Sequence, residues 1–99
     1  MKYIDTFREG MHIADVYLCK NKQIAMTKNG KEYGNLVLQD KTGTIDAKIW
    51  DLGSPGVGDF ETMDYVHVEA DITLFQNSNQ MNIRRIRRAQ EGCLLYTSD

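Results

Sequence analysis

Arg84-Arg85-Ile86-Arg87-Arg88 places four guanidinium groups within five residues, the densest run of charge in a chain of 99 residues. Guanidinium groups pair bidentately with phosphate oxygens and stack on flat rings. The same run also suits a solvated edge strand kept from aggregating by its charge. A second feature is Trp50, the sole tryptophan, near the end of the stretch LVLQDKTGTIDAKIWD at 36–51. Leu36, Leu38, Ile45, Ala47 and Ile49 alternate onto one face of a hairpin, which leaves Lys48 and Trp50 on the other. Two uses fit this indole: an outward platform beside an ammonium, or a plug closing one end of a barrel under the Pro55 connection. No nucleophile–base pair stands out. His12 and His67 have no cysteine or carboxylate at ligand spacing, so both are expected as surface or packing residues, with no metal and no cofactor.

Composition sets the frame for these groups. Ninety-nine residues, 41% hydrophobic and 26% charged, fit one domain with a modest core. No stretch reaches the ~20 apolar residues of a membrane helix, and MKYIDTFREG lacks the apolar run of a secretory signal. Cys19 and Cys93 are far apart and are expected as reduced thiols of a cytoplasmic protein. The net charge of −2 hides an uneven distribution: +2 over residues 1–32, −6 over 33–80 and +2 over 81–99. If the two ends meet in space they form a positive strip on an acidic body.

The elements that would position the candidate groups are strands. Residues 1–12 are a short entry segment with one turn of helix. Ile13–Lys28 reads as a long strand, bent or bulged near Cys19–Lys22, and Asn29-Gly30 is a turn dipeptide. A second strand covers Leu36–Gln39, and Asp40-Lys41-Thr42-Gly43 is its turn, with Gly43 suited to a positive φ and Asp40 supporting the turn through its side chain. Thr44–Asp51 is the third strand. Residues 52–64 hold the only proline and form a connection, with a short helix over Asp59–Met63 capped by Asp59 as one option. Residues 65–75 alternate as a fourth strand, 76–79 are a polar turn, and 80–89 are the fifth strand. Five strands with a short helix or loop between the third and fourth fit an all-β, five-stranded Greek-key barrel, the OB-fold. An SH3-like barrel or a small sandwich are the alternatives.

Longer segments carry a narrower likeness. YIDTFREGM, DVYLCKNKQIAMTKNGKEYGNLVLQDKTGTIDAKIWD, GDFETMDYVHVEADI and QMNIRRIRRAQEG together resemble the N-terminal OB domain of YhaM-type 3′–5′ exoribonucleases. The likeness sets residues 1–92 as an OB-fold nucleic-acid-binding domain and leaves CLLYTSD, 93–99, as a tail of uncertain origin. Members of that family continue into a metal-dependent HD-type nuclease domain. With two histidines, no such site is expected in this chain.

The resemblance implies a binding face across the second and third strands, flanked by the first-to-second and fourth-to-fifth loops. Trp50 then corresponds to a base-stacking position, and Phe75, at the start of the fourth-to-fifth loop, to a second one. Alternatively Phe75 ends the fourth strand in the core, a slot for which Leu74 competes. Tyr33, at the mouth of the first loop opposite Lys28 and Lys31, could stack, bond a phosphate, or simply pack on a neighbour. Lys48 suits a phosphate beside the stacked base. Asn35 and Gln39, outward with Val37, suit a base edge or a 2′-hydroxyl. Arg84 and Arg85 lead the basic run. The expected function is a non-catalytic domain binding single-stranded RNA or DNA, RNA being the leading substrate, that presents the strand to an HD-type nuclease domain in full-length relatives. A protein-interaction module, including a homo-oligomer, is the alternative.

Overall fold

Alternation with a period of two decides the architecture, because each strand has one face apolar enough to bury. A computed structural model describes residues 2–89. It contains a 3-10 turn at Ile4–Thr6 and five strands: β1 His12–Met26, β2 Glu32–Asp40, β3 Gly43–Ile49, β4 Tyr65–Phe75 and β5 Ser78–Arg88. They close into a barrel in the order β1-β2-β3-β5-β4, with β4 paired back to β1. All pairs are antiparallel except β3 with β5. This is the OB-fold that the strand pattern predicts.

One strand serves two neighbours. The first half of β1 pairs with β4 and the second half with β2, and a bulge between Cys19 and Asn21 turns the chain from one to the other. The bulge lies where the sequence predicts a bend. Beyond it β1 and β2 extend as a ribbon to a turn at Asn29-Gly30, where Gly30 takes φ 83° and the Thr27 N–H donates to the Lys31 carbonyl at 2.8 Å. The ribbon makes β2 start at Glu32 rather than Leu36, so Tyr33 and Asn35 are strand residues.

Inward side chains fill the barrel: Ile13, Tyr17 and Cys19 from β1, Leu36 and Leu38 from β2, Ile45, Ala47 and Ile49 from β3, Val66, Val68, Ala70 and Ile72 from β4, and Met81, Ile83 and Ile86 from β5. Each large aliphatic among them contributes roughly 1.5–3 kcal/mol by leaving water. Gly34 is required by this packing, since a Cβ there would lie 3.2 Å from Ile49. The N-terminal segment brings Ile4 and Phe7 onto one end, where Phe7 meets the Tyr17 ring edge-on at 6.1 Å. Asp40 pins this segment while it holds its own turn. One oxygen accepts from the Ile4 N–H (2.8 Å), the other from the Thr42 N–H (2.7 Å) and hydroxyl (2.6 Å).

Two local expectations differ from the structure. No helix forms over Asp59–Met63: Asp59 caps nothing, and Asp64 instead accepts from the Glu61 N–H at 2.8 Å. The β4–β5 turn is two residues, not four, because Gln76 and Asn77 both adopt positive φ (52° and 66°), the geometry that matches strand twist. Gly43 takes the positive φ that the sequence predicts, 159°, and Asp40 holds the turn through the Thr42 N–H and hydroxyl. Cys19 is a buried free thiol whose pKa burial pushes up. Cys93 and the tail at 93–99 lie outside the described residues.

Tyr17 links the core to alkaline stability. Its hydroxyl donates to the Lys2 carbonyl at 2.6 Å, and burial, then Asp15 and Asp40, drive its pKa far above the ordinary value of 10.0. The unfolded phenol ionises near that value while the folded one stays protonated. Its contribution is therefore complete below about pH 10 and lost as pH rises beyond it. Tyr17→Phe should cost about 1 kcal/mol near neutrality and flatten the alkaline decline. Urea midpoints near neutrality and above pH ~10 test this, and equal declines in both proteins would refute it.

Candidate functional site

The outward residues of β2, β3 and β5 form the surface on which the sequence places its candidates. The two-residue turn at Lys41-Thr42 sets the register: Gly34 faces Ile49, Asn35 faces Lys48, Val37 faces Asp46 and Gln39 faces Thr44. One step past Gly34–Ile49, Tyr33 meets Trp50, with ring centroids 5.1 Å apart and planes tilted by 34°. On the other side β5 runs parallel to β3, so Lys48 lies beside Asn82. The Trp50 Nε1–H donates to Asn82 Oδ1 at 2.9 Å, and Asn82 Nδ2 donates to the Thr73 hydroxyl at 2.9 Å. The indole is thus held by a ring on one flank and a hydrogen bond on its edge, and remains 46% exposed.

Trp50 does not plug the barrel. That position belongs to Phe60, 2% exposed and brought in by the 52–64 connection, with Lys22 Nζ 4.3 Å above its ring and bonded to its carbonyl at 2.7 Å. Trp50 lies just beyond the end of β3 at Ile49, not inside a strand reaching Asp51.

Other candidates fall at different places on the surface. Lys48 Nζ donates to Asn35 Oδ1, which leaves the ammonium two further donors. Gln39 lies farther along β2, and Asp46 faces outward between the two ends. Phe75 is 59% exposed opposite Ser78 at the tip of the β4–β5 hairpin, and Leu74 is 50% exposed, so neither takes a core slot. Three side-chain rows separate Phe75 from Trp50 in register, on the order of 20 Å along the strands. Lys28 and Lys31 are exposed on the β1–β2 loop, beyond Tyr33.

The basic run is shaped by a second bulge. Ala70 pairs with Ile83 but Glu69 pairs with Arg85, so Arg84 is the extra residue and both arginines stay outside. Three of the four are engaged: Arg84 with Asp71 (2.7 Å), Arg85 with Glu69 (3.7 Å) and Arg88 with Asp64 (2.8 Å). Asp71 also bonds His12 Nδ1 at 2.9 Å, and His12 and Arg84 hold its carboxyl below the usual range. The Glu61 N–H, then Arg88, does the same for Asp64. Among the described residues no group of three His, Cys, Asp or Glu is arranged to hold a metal.

Sequence reasoning passed over Asn82, Thr73, Phe60 and Lys22. Asn82 carries no local signal, because only the β3–β5 pairing brings it to Trp50. The second bulge had one: the apolar residues Met81, Ile83 and Ile86 are spaced by two and then by three.

No family model matches the chain. The 3′–5′ exoribonuclease YhaM of Geobacillus sp. (strain WCH70) is 40% identical over 86 residues, 86% of this chain and 26% of that protein. YhaM of Bacillus pumilus is 32% identical over 91 residues, 92% of this chain and 29% of that protein. The chain therefore spans about a quarter of the length of the curated relatives it matches. Among solved structures, the second OB-fold domain of replication protein A from Methanococcus maripaludis superposes with a TM-score of 0.66 at 16% identity, covering 91% of this chain and 95% of that one. A replication protein A heterotrimer bound to ssDNA gives a TM-score of 0.68 at 19% identity, covering 95% of this chain and 69% of the other. The chain is an OB-fold domain similar in sequence, over most of its length, to part of the YhaM 3′–5′ exoribonucleases.

Proposed function

We propose that the chain binds single-stranded nucleic acid, RNA foremost, across the outer face of β2 and β3, and that it does so without catalysis. The pair of half-buried Tyr33 and exposed Trp50, fixed by Asn82 and flanked by Lys48, carries this reading. Flat rings stack on any base, and an ammonium with free donors takes the adjoining phosphate. Asn35, Gln39 and Asn82 offer amides to base edges and 2′-hydroxyls, and Phe75 is a second platform at the far end. Lys28 and Lys31 would extend the cationic border past Tyr33. RNA leads because the relatives are exoribonucleases by name, and in such a relative this domain would hand its strand to an HD-type nuclease domain.

Fluorescence anisotropy with labelled oligouridylate and oligothymidylate at two salt concentrations tests the reading. Micromolar-range binding should weaken with salt, by about 0.7 in log–log slope per phosphate contacted. A folded domain that binds neither strand at low salt would sink the proposal. A second reading, an assembly module, draws on Ile24 and Met26, which are 49% and 66% exposed on the β1–β2 ribbon. A stable dimer in sedimentation, with no RNA binding, would favour it.

A further inference from the structure

Beyond Trp50 the surface changes character. Between Phe75 and Trp50 the outer face offers amides, hydroxyls, Asp46 and one ammonium, that of Lys48. Past Trp50 a groove begins between the 52–64 connection and β5. Its first part, about 340 Å³, lies between Ser54–Gly56 and the pair Arg84–Arg85. Pro55, Gly56 and Arg85 also line the second part, about 410 Å³, which reaches His67 and Arg87. The two parts adjoin through Pro55, Gly56 and Arg85, and the first begins at Ser54, four residues along the chain from Trp50.

The fold builds this track deliberately close. Ile86 N–H donates to the Gly56 carbonyl at 3.0 Å and Gly58 N–H to the Ile86 carbonyl at 2.7 Å, so the connection runs alongside β5 as its wall. A Cβ on Gly56 would stand 3.0 Å from the Arg85 side chain, so a larger residue would push the guanidinium stem aside. The bulge at Arg84 turns two successive arginines outward, and Arg87 has no carboxylate partner among the described residues. Arg85 is held only loosely, 3.7 Å from Glu69 with a side chain 74% exposed. Such an exposed pair is weak, and a phosphate can displace it.

We infer that this groove is a phosphate track that carries the backbone of the bound single strand onward from the Trp50 platform. The inference rests on the nucleic-acid reading and adds a path to it. A strand whose bases turn toward Trp50 must route its phosphates away from Asp46. Arg84, Arg85 and Arg87, with His67 beside them, provide the route. The footprint is therefore longer than the β2–β3 face.

The test uses the full chain with labelled oligouridylates of about 4 and about 12 nucleotides, within the range of OB-fold site sizes. The double variant Arg85→Ala/Arg87→Ala should weaken the longer oligomer about 5- to 30-fold and lower its salt slope by about 1.4, two phosphates' worth. The shorter oligomer should keep its affinity within about twofold, because it fills the platform alone. Glu69→Gln, which frees Arg85, should tighten the longer oligomer about twofold or more and leave the shorter one unchanged. Equal effects on both lengths, or none on either, in the two variants would overturn the track. Failure of the unaltered chain to bind either length would overturn the nucleic-acid reading itself, which separates the two outcomes.

Discussion

Trp50→Ala is expected to weaken single-strand binding by about 5- to 150-fold, the equivalent of about 1–3 kcal/mol for one stacked base. Its cost in stability should be only on the order of 1 kcal/mol, because the lost contacts are one tilted aromatic pair and one exposed hydrogen bond. The contrast follows from placement: the indole is 46% exposed, outside the barrel, and nothing in the core rests on it. Trp50→Phe should recover most of the affinity, since a flat ring suffices for stacking, while losing the bond to Asn82. Because Trp50 is the sole tryptophan, quenching of its emission on titrating oligouridylate reports contact at this residue directly. Undiminished binding by a folded Trp50→Ala chain would remove the platform from the site. A large stability loss with no change in affinity would return the residue to a structural role.

How much of this could be read in advance varies by residue. Alternation alone puts Trp50 and Lys48 outside, since a strand gives no other choice once Ile45, Ala47 and Ile49 point inward. The Tyr33–Trp50 contact was also available. Counting seven residues back from Asp40 and seven forward from Gly43 reaches these two rings, once the turn is known to hold two residues. The pair is hidden because the apolar alternation starts a second strand at Leu36, and Tyr33 and Gly34 look like loop residues in isolation. Their strand state comes from pairing with β1, which long-range contact overrides propensity to impose. Asn82 was out of reach, because the parallel β3–β5 pairing joins segments thirty-odd residues apart with no mark in either. The carboxylates that hold the arginines are likewise products of the β4–β5 register. The basic run is plain in sequence, but its partners are not.

The least legible residue carries the largest structural prediction. Phe60 sits in GDFETMD, a loop segment without periodicity, and nothing there marks a core residue. The structure uses it to close the barrel end at 2% exposure, under Lys22. Phe60→Ala should cost about 3–5 kcal/mol, the usual range for an aromatic removed from a core, against a total of about 5–15 kcal/mol for a native domain. With a urea slope of about 1–3 kcal/mol per molar, the midpoint should fall by at least about 1 M. Phe60→Leu should lose less than half as much, because it leaves a smaller cavity. The same variants decide which aromatic belongs to the core. If Phe60 is the plug, its truncation lowers the midpoint sharply and the fraction that remains folded still binds oligouridylate with near-parent affinity. If a midpoint loss of that size follows Trp50→Ala instead, the assignment of the two rings is reversed. An outward tryptophan is possible in so small a barrel because another aromatic, from a loop, already fills the end it would otherwise close.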